Sequence, residues 1–218
     1  MSDVIIHQIP VGPLQVLTYI VACPVTKEAV LIDPAGEEES LGAVIRKEGF
    51  RIRYILNTHG HADHVVGNLN MKEMFSAPVC MHEADDDFFS REEVRVASTK
   101  ELGLPPPGPA DIRLKDGDEL KVGSLQIRVI HTPGHTPGSA CFLVHGHLFT
   151  GDTLFVGAAG RTDLTGASLD RLLESIQKKI LPLPKETVVW PGHDYGETPS
   201  STLEREQGEN IYITDFLV

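Results

Sequence analysis

The chain has 218 residues, 41% of them hydrophobic and 23% charged, and a formal net charge of −12. This is the balance of a globular protein with room for one large domain or two small ones, and no Lys/Arg cluster supplies the basic patch of a nucleic-acid surface. No apolar run approaches the ~20 residues of a membrane span, and the start Met1-Ser2-Asp3-Val4 lacks the segments of a secretion signal.

The first third is strand-rich. Residues 4–9, 14–22 and 28–32 are short β-prone runs separated by Pro10, Gly12-Pro13 and Cys23-Pro24, the pattern of an antiparallel meander. The third run ends in Asp33-Pro34-Ala35-Gly36, which sets a carboxylate at a strand terminus beside a turn. A helix follows. Glu37, Glu38 and Glu39 load its first turn, Leu41, Val44 and Ile45 form an apolar stripe, Arg46 and Lys47 occupy its last turn, and Gly49 ends it. Next come a strand over 51–56, a polar loop, a helix from about 65 to 75 and a short buried strand over 78–81. Residues 83–102 are weakly helical, and the proline-rich stretch 104–109 is read as a loop inside one domain spanning 1–218, because candidate ligands lie on both sides of it.

The second half restarts the strand pattern. Runs over 119–122 and 125–130 flank Gly123-Ser124, and runs over 140–144 and 147–149 flank His145-Gly146, both hairpin signals. A helix over 168–180 carries Leu169, Leu172, Leu173, Ile176 and Ile180 on one face, and Pro182 stops it. A strand over 187–190 leads into Pro191-Gly192-His193-Asp194, and Ser201-x-x-Glu204 has the capping-box spacing for a terminal helix near 203–207. Strands followed by helices in each half predict a mixed α/β (α+β) chain, with two sheets face to face and helices outside. Three dispersed cysteines, Cys23, Cys80 and Cys141, fit no disulfide framework and are expected to pack as small apolar residues of a soluble cytoplasmic protein.

The chemistry sits in four loops. Thr58-His59-Gly60-His61-Ala62-Asp63-His64 places four metal-competent side chains in six residues. His135 in Thr132-Pro133-Gly134-His135-Thr136, Asp152 in Thr150-Gly151-Asp152-Thr153 and His193 in Pro191-Gly192-His193-Asp194 complete the set. Each loop follows a predicted strand and has glycine nearby, which lets backbone approach an ion without a Cβ clash. Five imidazoles and two carboxylates, with no thiolate, suit Zn²⁺, Fe or Mn²⁺. Seven donors exceed one tetrahedral ion and suit two ions sharing a carboxylate. Such a pair, ~3.5–4 Å apart, can hold a hydroxide between them and polarise a carbonyl, so the residues point to a metal-assisted hydrolase.

His-x-His-x-Asp-His, Pro-Gly-His-Thr-x-Gly-Ser, Gly-Asp-Thr-Leu-Phe and Pro-Gly-His, in this order, resemble the metallo-β-lactamase superfamily over a span from about residue 16 to 193. The resemblance implies a four-layer αββα sandwich. It implies one ion on His59, His61 and His135, a second on Asp63, His64 and His193, Asp152 bridging both, and Asp63 as the proton-handling catalytic carboxylate. Asp152 stands where one subclass of secreted β-lactamases has Cys, which argues against antibiotic hydrolysis. His61 in place of Glu argues against the diiron oxygen-reducing flavoproteins. The stretch Leu154-Phe155-Val156-Gly157-Ala158-Ala159-Gly160-Arg161-Thr162-Asp163 is similar to the glyoxalase II branch and its persulfide-dioxygenase relatives. Only a short tail follows His193, so the glutathione-binding C-terminal domain of true glyoxalase II is expected to be absent.

The implied function is a binuclear hydrolase with a bridging hydroxide acting on a small-molecule thioester, such as a hydroxyacylglutathione-like substrate. It would use two divalent ions, Zn before Fe or Mn. The alternative is a mononuclear Fe(II) persulfide dioxygenase using His59, His135 and Asp152. Arg161 is a candidate contact for a substrate anion or a partner for Asp163, and Tyr195 a candidate pocket residue beside His193. Asp33 is expected to hydrogen-bond loop backbone and orient the site. His7, His82, His131, His145 and His147 lie outside every motif and are read as structural or exposed. No nucleic-acid or membrane partner is expected, and the residues leave the oligomeric state open.

Overall fold

The centre of the molecule is an apolar layer between two six-stranded sheets, seen in a computed structural model that describes residues 4–217. Residues 1–3, part of the leader reading above, lie outside the described residues. In the first sheet β1 (Ile5–Val11), β2 (Val16–Ala22) and β3 (Glu28–Ile32) form the expected antiparallel meander. β4 (Arg51–Leu56), β5 (Val79–His82) and β6 (Ile112–Leu114) then add in parallel. The second sheet contains β7 (Glu119–Val122), β8 (Leu125–His131), β9 (Ala140–Val144) and β10 (His147–Gly151) as antiparallel neighbours. A small hairpin, β11 (Leu154–Phe155) with β12 (Ala158–Ala159), follows. β13 (Val188–Pro191) then joins β10 in parallel, and β14 (Ser201–Thr202) closes that edge.

β2 shows why four layers arise. All seven of its residues are buried. Leu17, Tyr19 and Val21 pack against Ile127, Val129 and Phe142 of the opposing sheet. Val16, Ile20 and Ala22 pack in a separate cluster with Leu41 and Ile45 of α1 (Glu38–Glu48) and Met71 of a later helix. A strand covered on both faces reads as a continuous apolar run. On the far side, Cys141, Leu148 and Val189 meet the helix over Leu169–Ser175, its π-helical extension Ile176–Ile180 and the C-terminal helices. The arrangement is the mixed αββα sandwich.

Gly49, with φ 70°, ends α1 as its sequence predicts, and the His145-Gly146 hairpin has positive φ at both residues. Three expectations need correction. The single helix over 65–75 is two, α2 (Ala62–Val65) and α3 (Asn68–Phe75), so α2 starts inside the histidine loop. Gly67 makes the break: its N–H donates to the Pro34 carbonyl at 2.8 Å, and a Cβ there would lie 2.6 Å from that oxygen. The weakly helical stretch is also two helices, α4 (Glu83–Phe89) and α5 (Glu92–Leu102). β6 and the β11–β12 hairpin were too short to leave a periodic signal. The terminal helix, α7 after α6 (Leu169–Ser175), spans Leu203–Glu209 and is capped not by Ser201 but by Thr202, whose Oγ1 accepts from Arg205 N–H at 3.3 Å. A last helix, α8 (Ile211–Thr214), follows, capped by Asn210. All three cysteines are buried and free, and among the described residues no helix is long and apolar enough to cross a membrane.

Candidate metal centre

The seven donors predicted from the sequence occupy loops at the C-terminal ends of β4, β8, β10 and β13, and the fold brings all seven together. His59, His61 and His135 form one group whose ligand atoms lie within 4.8 Å of one another, and Asp63, His64 and His193 form a second. Asp152 touches both. Its Oδ1 is 3.4 Å from His64 Nε2, and its Oδ2 is 3.5 Å from His135 Nε2 and 3.7 Å from His193 Nε2. Asp63 Oδ2 lies 3.7 Å from His64 Nε2 and 3.8 Å from His193 Nε2.

Hydrogen bonds around the cluster decide which ring nitrogen faces inward. Thr58 Oγ1 donates to Asp33 Oδ2 at 2.6 Å, so toward His59 Nδ1, 3.1 Å away, the hydroxyl can only accept. His59 is therefore protonated on Nδ1 and keeps its lone pair on Nε2. His64 Nδ1 donates to the same Asp33 oxygen at 3.0 Å, turning Nε2 toward Asp152. His135 Nδ1 donates to the Arg161 carbonyl at 2.8 Å, leaving Nε2 to face His61 Nδ1 at 2.9 Å. Asp33 Oδ1 also accepts from Thr58 N–H at 2.8 Å, the loop-backbone role expected of it. It sits at the end of β3 with φ 48°, a conformation Asp adopts more readily than most residues.

The donor set fits a cation. His59 Nε2, His64 Nε2 and Asp152 Oδ1 are buried and have no hydrogen-bond partner among the described residues. Atoms of this kind cost free energy when left alone, and these three converge on one space. Burial, and then the neighbouring imidazoles, hold His59 and His61 well below the usual histidine pKa, as the neutral rings a metal requires. Burial also opposes charge on His64, but Asp152, Asp63 and Asp33 overcome it and raise its pKa to about 10. The carboxylates thus favour a positive charge at that point, whether proton or metal. Burial pushes Asp152 up, yet His64, His135 and His193 outweigh it and hold the carboxyl low.

Of the two roles open to Arg161, the structure shows the pairing with Asp163, and Tyr195 does lie beside His193 at a cavity. Arg161 forms a paired contact with Asp163, 2.7 and 2.8 Å, at an exposed position, and its backbone carbonyl is what reaches the cluster. Tyr195 stacks on His193 with ring centroids 4.9 Å apart and stays largely exposed beside an open cavity of about 450 Å³ lined also by Val156 and Arg205. Three contributors had no motif. Asp85, in the first turn of α4, accepts from Gly60 N–H, Thr136 Oγ1 and Gly138 N–H; burial pushes its carboxyl up to about 6 against the pull of these bonds. An aspartate in the run Asp85–Asp87 reads from sequence as a solvated helix face. Glu206 and Asn210 of the tail hold the β11–β12 hairpin. Glu206 Oε2 accepts from Gly157 N–H at 2.8 Å, and Asn210 Nδ2 donates to Ala158 O at 2.9 Å.

Comparison with known proteins follows the same lines. Residues 11–193 match the profile of the metallo-β-lactamase superfamily. The probable metallo-hydrolase YqgX of Bacillus subtilis is 31% identical over 96% of this chain and 98% of its own. The human mitochondrial persulfide dioxygenase ETHE1 is 33% identical over 90% of this chain and 71% of its own. The crystal structure of the B3 metallo-β-lactamase BLEG-1 superposes with a TM-score of 0.87 at 36% identity, covering 96% of this chain and all of that one.

Proposed function

The chain belongs to the metallo-β-lactamase superfamily, and from that premise we propose that it is a binuclear metallohydrolase of the glyoxalase II-like branch, acting on a small thioester. The observation that carries this reading is the convergence of the partnerless His59 Nε2, His64 Nε2 and Asp152 Oδ1 between two complete groups of donors. His59, His61 and His135 would hold one ion, Asp63, His64 and His193 the other, and Asp152 both. Two divalent ions, zinc before iron or manganese, would supply hydroxide near neutral pH and polarise a carbonyl.

The protein's own groups define the rest. Asp63 borders the site beside His64 and His193, and its carboxylate oxygen not engaged with the ion would take a proton from an attacking water. A thiolate leaving group needs no acid, because thiol pKa values lie near ~8.5. Tyr195, stacked on His193, would flank the acyl group, and the Arg161 guanidinium would meet a substrate carboxylate by exchanging it for Asp163.

The second reading, a mononuclear iron persulfide dioxygenase on His59, His135 and Asp152, draws on the likeness to ETHE1. Metal-quantified turnover of purified protein against acyl-thioesters and persulfides separates the two. About two ions per chain with thioester hydrolysis supports the proposal. One iron per chain with oxygen uptake on a persulfide overturns it. Asp152→Ala is expected to lower metal content and abolish turnover, and retention of both would refute the site assignment.

A further inference from the structure

Asp85 stands outside both donor groups, yet its side chain reaches both turns that supply the His59 group. Oδ2 accepts from N–H of Gly60, the residue between His59 and His61, and from Thr136 Oγ1, adjacent to His135, each at 2.8 Å. Oδ1 accepts from Gly138 N–H at 2.5 Å, further along the His135 turn. The residue is fully buried. Packing reinforces the contact. A Cβ on Gly138 would lie 2.3 Å from Asp85 N, and a Cβ on Gly60 would lie 2.3 Å from the ring of Phe89, one helical turn further along α4. His82 Nδ1 accepts from Ala84 N–H at 3.2 Å and so caps the same helix. α4 is therefore wedged between a turn from the first sheet and a turn from the second.

We propose that Asp85 is a positioning residue: by joining the two turns it sets the separation of His59 and His61 from His135, and so the cation affinity of that group. This rests on the metal centre proposed above. Only a carboxylate has two acceptor oxygens to receive N–H groups from both turns. An amide of the same shape has one, and its NH₂ would face an N–H donor on the other side.

The test is zinc binding by chelator competition on Asp85→Asn and Thr136→Val, with thermal unfolding of the metal-free proteins. His59→Ala and His193→Ala serve as references for loss of either donor group. Asp85→Asn is expected to lose ~10–100-fold in affinity for the zinc equivalent that His59→Ala also loses, while the other equivalent is retained. Thr136→Val removes one of the three bonds to Asp85, along with the hydroxyl contact to Ser139 Oγ at 2.8 Å, and keeps the carboxylate. It is expected to weaken the same equivalent by less, and it carries the test alone if Asp85→Asn does not fold. Equal weakening of both equivalents would mean a general structural role and overturn the proposal, as would wild-type affinities in both variants. If His59→Ala itself binds zinc like the wild type, the metal-centre reading falls, and this inference falls with it.

Discussion

Asp33→Asn tests whether one hydrogen-bond acceptor sets the tautomer of His64. Asp33 accepts three bonds: Thr58 N–H at Oδ1, and Thr58 Oγ1 and His64 Nδ1 at Oδ2. Asn has nearly the same shape and tolerates the positive φ at this position, so backbone strain does not confuse the result. With its oxygen kept on Thr58 N–H, its NH₂ faces the Thr58 hydroxyl and His64 Nδ1. The Thr58 hydroxyl can rotate to accept, but His64 Nδ1 can meet a donor only by losing its own proton. The neutral ring then carries its proton on Nε2, pointing at Asp152, and offers no lone pair there. Losing two bonds to a buried charge at ~1.5–3 kcal/mol each, with one weaker bond regained, destabilises the fold by about 2–4 kcal/mol. Metal affinity at the Asp63 and His64 group should drop ~10–100-fold. Denaturant unfolding reads the first quantity, zinc competition the second, and ¹⁵N chemical shifts of the imidazole report the tautomer. His64 still protonated on Nδ1 in the zinc-bound protein, with unchanged zinc affinity, would refute the reasoning.

Two other residues make independent predictions. Burial, and then the His131 ring stacked on it at 3.8 Å between centroids, lower the His82 pKa to about 4. Because the folded value lies below the unfolded ~6.5, the stability this ring contributes is complete above pH 6.5 and is lost as pH falls toward 4. With its partial solvent contact discounted, the loss is about 1–2 kcal/mol. His82→Gln should flatten unfolding free energy against pH in that window, and an unaltered slope would count against the assignment. Glu206→Ala strands Gly157 N–H and removes one bond from the Asn210 amide, which keeps its bond to Ala158 O. It should cost about 1–3 kcal/mol and speed hydrogen exchange at Gly157, while zinc stoichiometry stays unchanged. Exchange at the wild-type rate would show that the tail does not hold the hairpin.

Much of the architecture is legible locally. α1 carries its own acidic start, apolar stripe and terminal glycine, so its bounds follow from sequence to within a residue. The two hairpin turns announce themselves through Gly123 and His145-Gly146, because few other residues accept positive φ. β6 and β11 are not legible. Each is stabilised by a neighbour distant in sequence or by a short turn, and two or three residues cannot show a period. α2 and α3 look continuous until Pro34, contributed by another loop, is packed against Gly67.

The candidate site divides the same way. The seven converging side chains are legible in the chain because each is an imidazole or carboxylate donor on a glycine-bearing loop after a strand. How each ring is turned, and what holds the loops to one another, emerges from the packed fold. Those choices belong to Asp33, Thr58, Asp85 and the Arg161 carbonyl, whose partners lie as far as 53 residues away in the chain. A hydrogen bond depends on position in space, so a donor and acceptor so far apart in sequence leave no pattern there to read.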